Sequence, residues 1–362
     1  MGSIISTLTS PRNPLIKNSD GNDIDYRNAY IVGPMLGRGQ FGTVRELHPI
    51  MNHSDEKIKE EKKSSYAVKE LHKGITIRDN VVYTPLRPDV LKGECHILRT
   101  LEGKNYALKL EAVYESPNMI YFVTEKCNGG DLLHWAKKGR KENSHQNDAK
   151  NRLLEIYDIS RVAYQLLKAV DHCANHKIIH RDIKPENIIF QNESMDSDLR
   201  LIDFGSSAIN RDMIDDSQIK TNIQQSQDDP IGHERENHIP DINQMAKEFL
   251  HNTMAGTPFY TSPEMFQRKY SYETDVWSIG VVLYVLIAGY PEDQLQDAFN
   301  ILQNSKHQDL QRLPNLTSDI PSTYFDLLNG LLTYKRLNRP KASYFLAQDK
   351  FILEYNTQND DT

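Results

Sequence analysis

Near Gly130 the pattern of apolar residues changes, and the chain divides there into two kinds of segment. Before it, short runs alternate with period two: Tyr30 to Leu36, residues 65–71, 108–115 and 119–126. Alternation of this kind reads as β-strand. One stretch in this part, Val90 to Leu101, has helical spacing instead. After Gly130 helical segments dominate: Leu132 to Lys137, Ile156 to Asn175 and Val276 to Ala288. The expectation is an α+β protein with a small strand-rich lobe followed by a larger helical one.

Composition narrows the function classes. With 362 residues, 38% hydrophobic and 26% charged, the chain belongs with soluble globular proteins. A formal net charge of -7 leaves no electrostatic footprint for coating nucleic acid. Three cysteines, Cys95, Cys127 and Cys173, are too scattered for a disulfide framework, and no Cys/His spacing suits a protein-caged metal. The apolar run Val276 to Tyr290 is shorter than the ~20 residues a membrane span needs. Residues 1–28 read as a flexible tail and 353–362 as another. The charged stretch from Glu46 to Ser65 reads as an exposed insertion, and the Asp/Gln/Asn-rich stretch of about 210–250 as a mobile one.

Chemistry enters with Gly37-Arg38-Gly39-Gln40-Phe41-Gly42-Thr43-Val44. Glycines so spaced let backbone N–H groups approach a polyphosphate, and the β-forming residues that follow make this a loop between two strands. Alone the pattern is weak. Lys69 then stands on the next strand, in Tyr66-Ala67-Val68-Lys69, and Glu94 on the following helix. His180-Arg181-Asp182-Ile183-Lys184-Pro185-Glu186-Asn187 follows the long helix, and Asp203-Phe204-Gly205 follows a short strand around Arg200 to Ile202. Gly256-Thr257-Pro258, Ser262-Pro263-Glu264, Asp275-Val276-Trp277-Ser278 with Gly280, and Arg339-Pro340 complete the series.

These motifs, in this order, resemble those of the eukaryotic protein kinases over roughly residues 29–352. The resemblance implies a two-lobed fold, with a small antiparallel-sheet lobe of about 29–127 and a large helical lobe of about 128–352. It extends to the serine/threonine branch and, within it, to the calcium/calmodulin-dependent group. ATP and Mg²⁺ are then the expected nucleotide and metal, and protein substrates the expected partners. Lys69, held by Glu94, is implied to pair with the α/β-phosphates, and Asp203 and Asn187 to hold Mg²⁺. Asp182 is implied to orient the substrate hydroxyl and accept its proton, with Lys184 neutralising charge on the transferred group. Leu36, Val44 and Ala67 would roof the adenine pocket and Ile189 floor it. Thr124 would be the gatekeeper, and Glu125 and Cys127 would supply hinge hydrogen bonds.

Asp131 and Glu186 match positions whose carboxylates receive substrate arginines, with contact of Asp131 to the ATP ribose as the alternative, and Thr257 is assigned to the substrate side. Arg181 is expected to await a phosphate on Thr253, placed there by an upstream kinase. Glu264, Arg339 and Asp275 resemble structural anchors. Two further readings stand beside an active kinase: a pseudokinase scaffold, and a kinase-fold enzyme for small molecules. Retention of Lys69, Asp182, Asn187 and Asp203 opposes the first, and the intact motifs around Thr257 and Glu264 oppose the second. Met1-Gly2-Ser3-Ile4-Ile5-Ser6 matches the N-myristoylation pattern, so Gly2 is the candidate for acylation. One such chain binds a membrane only marginally. The expectation is thus a cytoplasmic monomer with at most weak membrane association. No EF-hand spacing occurs, and little sequence follows Arg339, so direct calcium control is not expected.

Overall fold

A computed structural model describes residues 26–354, except 40, 51–65, 79–80, 84, 86–87, 144–153, 195, 210–256, 268, 290–293, 305–308 and 317–319. Gly2, Gln40, Thr253, Gly256 and the segment 210–250 therefore lie outside the described residues.

The small lobe runs β1 (Tyr30–Arg38), β2 (Gly42–Pro49), β3 (Tyr66–His72), β4 (Thr76–Arg78), β5 (Val81–Tyr83), α1 (Pro88–Leu101), β6 (Leu110–Glu115) and β7 (Met119–Glu125). Five of these strands form an antiparallel sheet in the order β1-β2-β3-β7-β6. Side chains alternate across each strand, so the sheet has two apolar faces. On one, Leu71, Val113, Ile120 and Phe122 pack with Leu91 and Cys95 of α1. On the other, Leu47, Val68, Tyr114, Tyr121 and Val123 pack with Tyr26.

Four features differ from the sequence reading. Residues 26–28 are not tail: they form a 3₁₀ turn, and Tyr26 is 0% exposed. A lone aromatic in a polar stretch has no periodicity to mark it, and only the fold supplies its neighbours. Strand β2 continues to Pro49, into the stretch read as insertion. The hairpin β4–β5 was not anticipated, although two short β-branched runs around Asp79-Asn80 are a hairpin signal. At the far end Leu353 and Glu354 are still helical.

The large lobe runs α2 (Leu132–Asn143), α3 (Ile156–Asn175), β8 (Ile178–Ile179), β9 (Ile188–Phe190), β10 (Leu199–Leu201), β11 (Ala208–Ile209), α4 (Pro263–Phe266), α5 (Tyr272–Ala288), α6 (Leu295–Gln303), α7 (Ser322–Leu331) and α8 (Ala342–Gln348). Helix α5 is apolar all round, the mark of a helix enclosed on every side. Thr274 through Ala288 are all buried, within a cluster that includes side chains of α3, α6, α7 and α8. Gly289, at φ 79°, ends it in a conformation glycine adopts without strain.

Polar anchors fix the rest to α5. Asp275 accepts from the backbone N–H of His180 at 2.7 Å and of Arg181 at 2.8 Å, which clamps the β8–β9 connection onto the helix. Burial raises the Asp275 carboxyl above its ordinary range, and those two donors and the His180 and Arg181 charges oppose that rise. Arg339 donates to Glu264 through Nη1 at 2.7 Å and Nη2 at 3.2 Å, a bidentate buried pair. Its guanidinium also lies 4.8 Å from the Trp277 ring centroid.

Candidate active site

A cavity of about 850 Å³ is lined by residues from both lobes. Of the residues predicted from sequence, Leu36, Gly37, Arg38, Gly39, Val44, Ala67, Lys69, Glu94, Thr124, Glu125, Cys127, Asp131, Glu186, Asn187, Ile189 and Asp203 line it. Phe41, Gly42, Thr43, Asp182 and Lys184 do not. Thr257 opens a 3₁₀ turn, Thr257–Tyr260, ahead of α4. Sequence reasoning missed Leu98, Leu108, Phe122 and Ile202, which also line the cavity. Two of these carried a signal: Leu98 lies one helical turn beyond Glu94, and Ile202 directly precedes Asp203.

Strand β3 and helix α1 meet at an ion pair, with Lys69 Nζ 2.7 Å from Glu94 Oε1. The same ammonium lies 3.3 Å from Asp203 Oδ1, so one cation joins both lobes. Burial alone would lower the Lys69 ammonium, but the Glu94 and Asp203 charges outweigh it and raise its pKa. The Lys69 charge in turn lowers the Asp203 carboxyl, against burial. Asp203 sits in the left-handed region at φ 62° and ψ 71°. Behind it the Phe204 ring packs 4.8 Å from the His180 ring, and His180 Nε2 lies 3.0 Å from the Ile202 carbonyl.

Asp182 is the centre of a second cluster. Lys184 Nζ donates to its two carboxylate oxygens at 3.1 and 2.9 Å. Asn187 Nδ2 donates to the Asp182 carbonyl at 2.7 Å and to Oδ2 at 2.9 Å. With its amide N–H groups committed, Asn187 keeps Oδ1 as an oxygen donor without a hydrogen bond among the described residues. Arg181, at φ 69°, donates through Nε to Ser206 O at 2.6 Å and through Nη2 to Ser207 O at 3.1 Å. Its guanidinium lies 5.2 Å from the Tyr270 ring centroid.

The hinge side chains take up roles that sequence did not reveal. The Glu125 carboxylate accepts from Lys109 N–H at 2.9 Å, Arg200 Nε at 3.0 Å and Gln191 Nε2 at 3.0 Å, bracing β7 against the β9–β10 hairpin. Thr124 Oγ1 donates to the Glu125 carbonyl at 3.1 Å. Asp131 accepts from His134 N–H at 2.7 Å and so caps α2 with one carboxylate oxygen. Burial pushes the Cys127 thiol up to about 12, which leaves it protonated at neutral pH.

The three glycines of the loop differ in what they permit. A Cβ on Gly42 would stand 1.7 Å from the Glu70 carbonyl oxygen, so this glycine lets β2 approach β3. A Cβ on Gly37 or Gly39 would meet nothing within 4 Å, so these two leave open space at the cavity wall. That hollow, an ammonium held by two carboxylates, and the oxygen donors of Asp203 and Asn187 together fit a nucleotide polyphosphate with a hard divalent cation.

The family model described as "Protein kinase domain" matches residues 30–227 and 236–351, and the chain belongs to that family. It is 31% identical over 283 residues, or 78% of its length, to "CDPK-related kinase 3" of Arabidopsis thaliana, covering 37% of that protein. It is 27% identical over 271 residues, or 74% of its length, to "Calcium-dependent protein kinase 5" of Plasmodium berghei, covering 39% of that protein. The chain thus spans well under half the length of these two curated relatives. Both agree with the resemblance to serine/threonine kinases related to the calcium/calmodulin-dependent group.

Proposed function

We propose that the chain is an ATP-dependent serine/threonine protein kinase. The observation that carries this reading is the assembly of Lys69–Glu94–Asp203 in one cleft with Asn187, which holds Asp182 and, through it, Lys184 beside that cleft. Phosphoryl transfer needs positioning and charge neutralisation more than covalent help, and these six residues supply both. Lys69, braced by Glu94, pairs with the nucleotide phosphates. Asp203 and the Asn187 amide oxygen hold Mg²⁺, which when bound neutralises phosphate charge. Asp182 orients a serine or threonine hydroxyl and takes its proton, while Lys184 offsets charge on the transferred group.

On the substrate side, Asp131 and Glu186 receive arginines upstream of the acceptor, because a guanidinium meets a carboxylate in a planar, bidentate pair. Thr257 belongs to the surface that receives the peptide. An upstream kinase phosphorylates Thr253, adding a charge of about -1.5 to -2 that Arg181 neutralises. Gly2 carries a myristoyl group that gives weak membrane association. Incubation of the full chain with radiolabelled ATP and a degenerate peptide library tests the core of this reading. The expected products are phosphoserine and phosphothreonine peptides with arginine upstream. Phosphotyrosine products, or an acidic or proline-directed preference, would contradict it.

A further inference from the structure

Lys69 and Glu70 are neighbours on β3 and therefore face opposite sides of the sheet. Their register partners on β7 confirm the split: Phe122 opposite Lys69 lies in the cluster against α1, and Tyr121 opposite Glu70 lies in the cluster on the other face. Glu70 is buried, and a carboxylate removed from water costs stability unless every oxygen finds a donor. Its donors come from two elements. Tyr26, in the turn that precedes β1, donates its hydroxyl to Oε1 at 2.7 Å. Thr43, the first residue of β2 after Gly42, donates its hydroxyl to Oε2 at 2.8 Å. Arg45 Nε lies 3.5 Å from the same oxygen.

The position of Thr43 matters for the cleft. It pairs with Glu70 on one side and with Arg38 on the other, and Gly39 N–H donates to Gly42 O at 2.9 Å. Gly42 itself leaves no room for a Cβ against the Glu70 carbonyl. Both the backbone and the carboxylate of Glu70 thus fix the base of the glycine loop. Tyr26 is held there by its own packing, with its ring 4.8 Å from that of Tyr121 and 6.2 Å from that of Tyr114. Arg27 lies over the same ring at 4.9 Å. Burial and the Glu70 carboxylate raise the Tyr26 hydroxyl, so it remains a proton donor at any ordinary pH.

The geometry points to Tyr26 and Glu70 as positioning residues for ATP: a latch behind the sheet through which the segment preceding β1 sets the glycine loop. The inference rests on the nucleotide reading of the cleft. Neither side chain lines the cavity, so both act through Thr43 and the strand pairing around it.

Tyr26→Phe keeps the ring and removes one hydrogen bond to a charged group, and Glu70→Gln removes the charge and leaves one acceptor oxygen where Tyr26 and Thr43 each had their own. Direct titration of the full chain with Mg²⁺-ATP by calorimetry, beside steady-state kinetics, separates the latch from a merely structural role. Tyr26→Phe is expected to raise Kd and KM for ATP by about three- to tenfold with kcat unchanged, the worth of part of such a bond. Glu70→Gln should act in the same direction and more strongly. Tyr121→Phe, which alters a neighbouring ring without touching the carboxylate, should leave Kd within about twofold. A lowered melting temperature in Tyr26→Phe and Glu70→Gln with unchanged ATP Kd would overturn the latch. If the unaltered chain binds ATP but transfers no phosphoryl group, the kinase reading fails while Kd still decides the latch.

Discussion

The two lobes are held together by different means. The large lobe closes around α5, whose residues from Thr274 to Ala288 are all buried and whose apolar side chains from Val276 on belong to one continuous cluster. The small lobe has two smaller clusters, one on each face of its sheet. Between and around these, carboxylates join its parts, Glu94 to Lys69 and Glu70 to Tyr26 and Thr43, and Glu125 ties it to Arg200 and Gln191 of the large lobe. Continuous apolar packing gives the large lobe one rigid arrangement. Polar networks depend on a few bonds each, so the lobe that meets the nucleotide can be adjusted by single side chains. Changes in the large lobe should therefore appear as lost stability, and polar changes in the small lobe as altered affinity or turnover.

The largest effect on stability should come from breaking the pair at the foot of α5. Glu264→Ala leaves the Arg339 guanidinium buried without its carboxylate, which costs about 3–5 kcal/mol. Urea unfolding of the two proteins measures it, and a loss under about 1 kcal/mol would mean that the Thr333 and Glu273 carbonyls satisfy Arg339 by themselves.

Lys69→Met tests the other half of the comparison. Phosphoryl transfer should fall by about 10²- to 10³-fold, the usual cost of one preorganised charge-stabilising donor. Its midpoint of unfolding should fall too, since Glu94 is left buried without its ammonium, but by less than in Glu264→Ala, because a carboxyl can take up a proton and an arginine cannot lose one. If the variant unfolds instead, the ion pair to Glu94 is holding α1 in place and the small lobe has no margin of its own.

A smaller effect should follow overpacking of α5. A Cβ at position 280 would stand 2.8 Å from Leu332 Cδ2 and 2.9 Å from Leu331 Cβ. Gly280→Ala is expected to cost about 1–3 kcal/mol in urea unfolding with kcat/KM per folded molecule preserved. Wild-type stability would show that the end of α7 yields at that point.

The smallest effect is one of pH. The Lys69 charge lowers the Asp203 carboxyl below its unfolded value of about 3.9. The stability this provides is fully present above that value and disappears as pH falls through the lower, folded one. Any advantage in urea midpoint of wild type over Asp203→Asn should thus shrink below about pH 4. A difference that stays constant down to pH 2 would mean that Lys69 does not sense the Asp203 charge.

The same division explains what could be read from the sequence. The polar residues assigned to the chemistry were legible because they belong to local motifs: Lys69 in Tyr66-Ala67-Val68-Lys69, Asp182 to Asn187 in one loop, Asp203 before Phe204-Gly205. Helices α3 and α5 were legible through periodicity and unbroken apolarity. Tyr26, Glu70, Arg200 and Gln191 were not, because each acts through a partner distant in sequence that no spacing rule connects. Tyr26 and Glu70 are 44 residues apart, and Glu125 and Arg200 are 75 apart. A charged residue inside a strand gives no sign of which face it occupies until the register is known, and that is how Glu70 beside Lys69 escaped notice.

The most direct measurement compares the full chain with Asp182→Asn in a single assay of γ-phosphate transfer from Mg²⁺-ATP to serine- and threonine-containing peptides, with ATP affinity measured alongside. Asp182 does not line the cavity and is held by Lys184 and Asn187, so its loss should spare nucleotide binding and remove the residue that positions the acceptor hydroxyl. The expected result is phosphopeptide from the unaltered chain and a fall of about 10²- to 10⁴-fold in the variant at unchanged ATP Kd. Equal turnover in both proteins, or ATP binding without phosphopeptide from either, would contradict a cleft built for phosphoryl transfer.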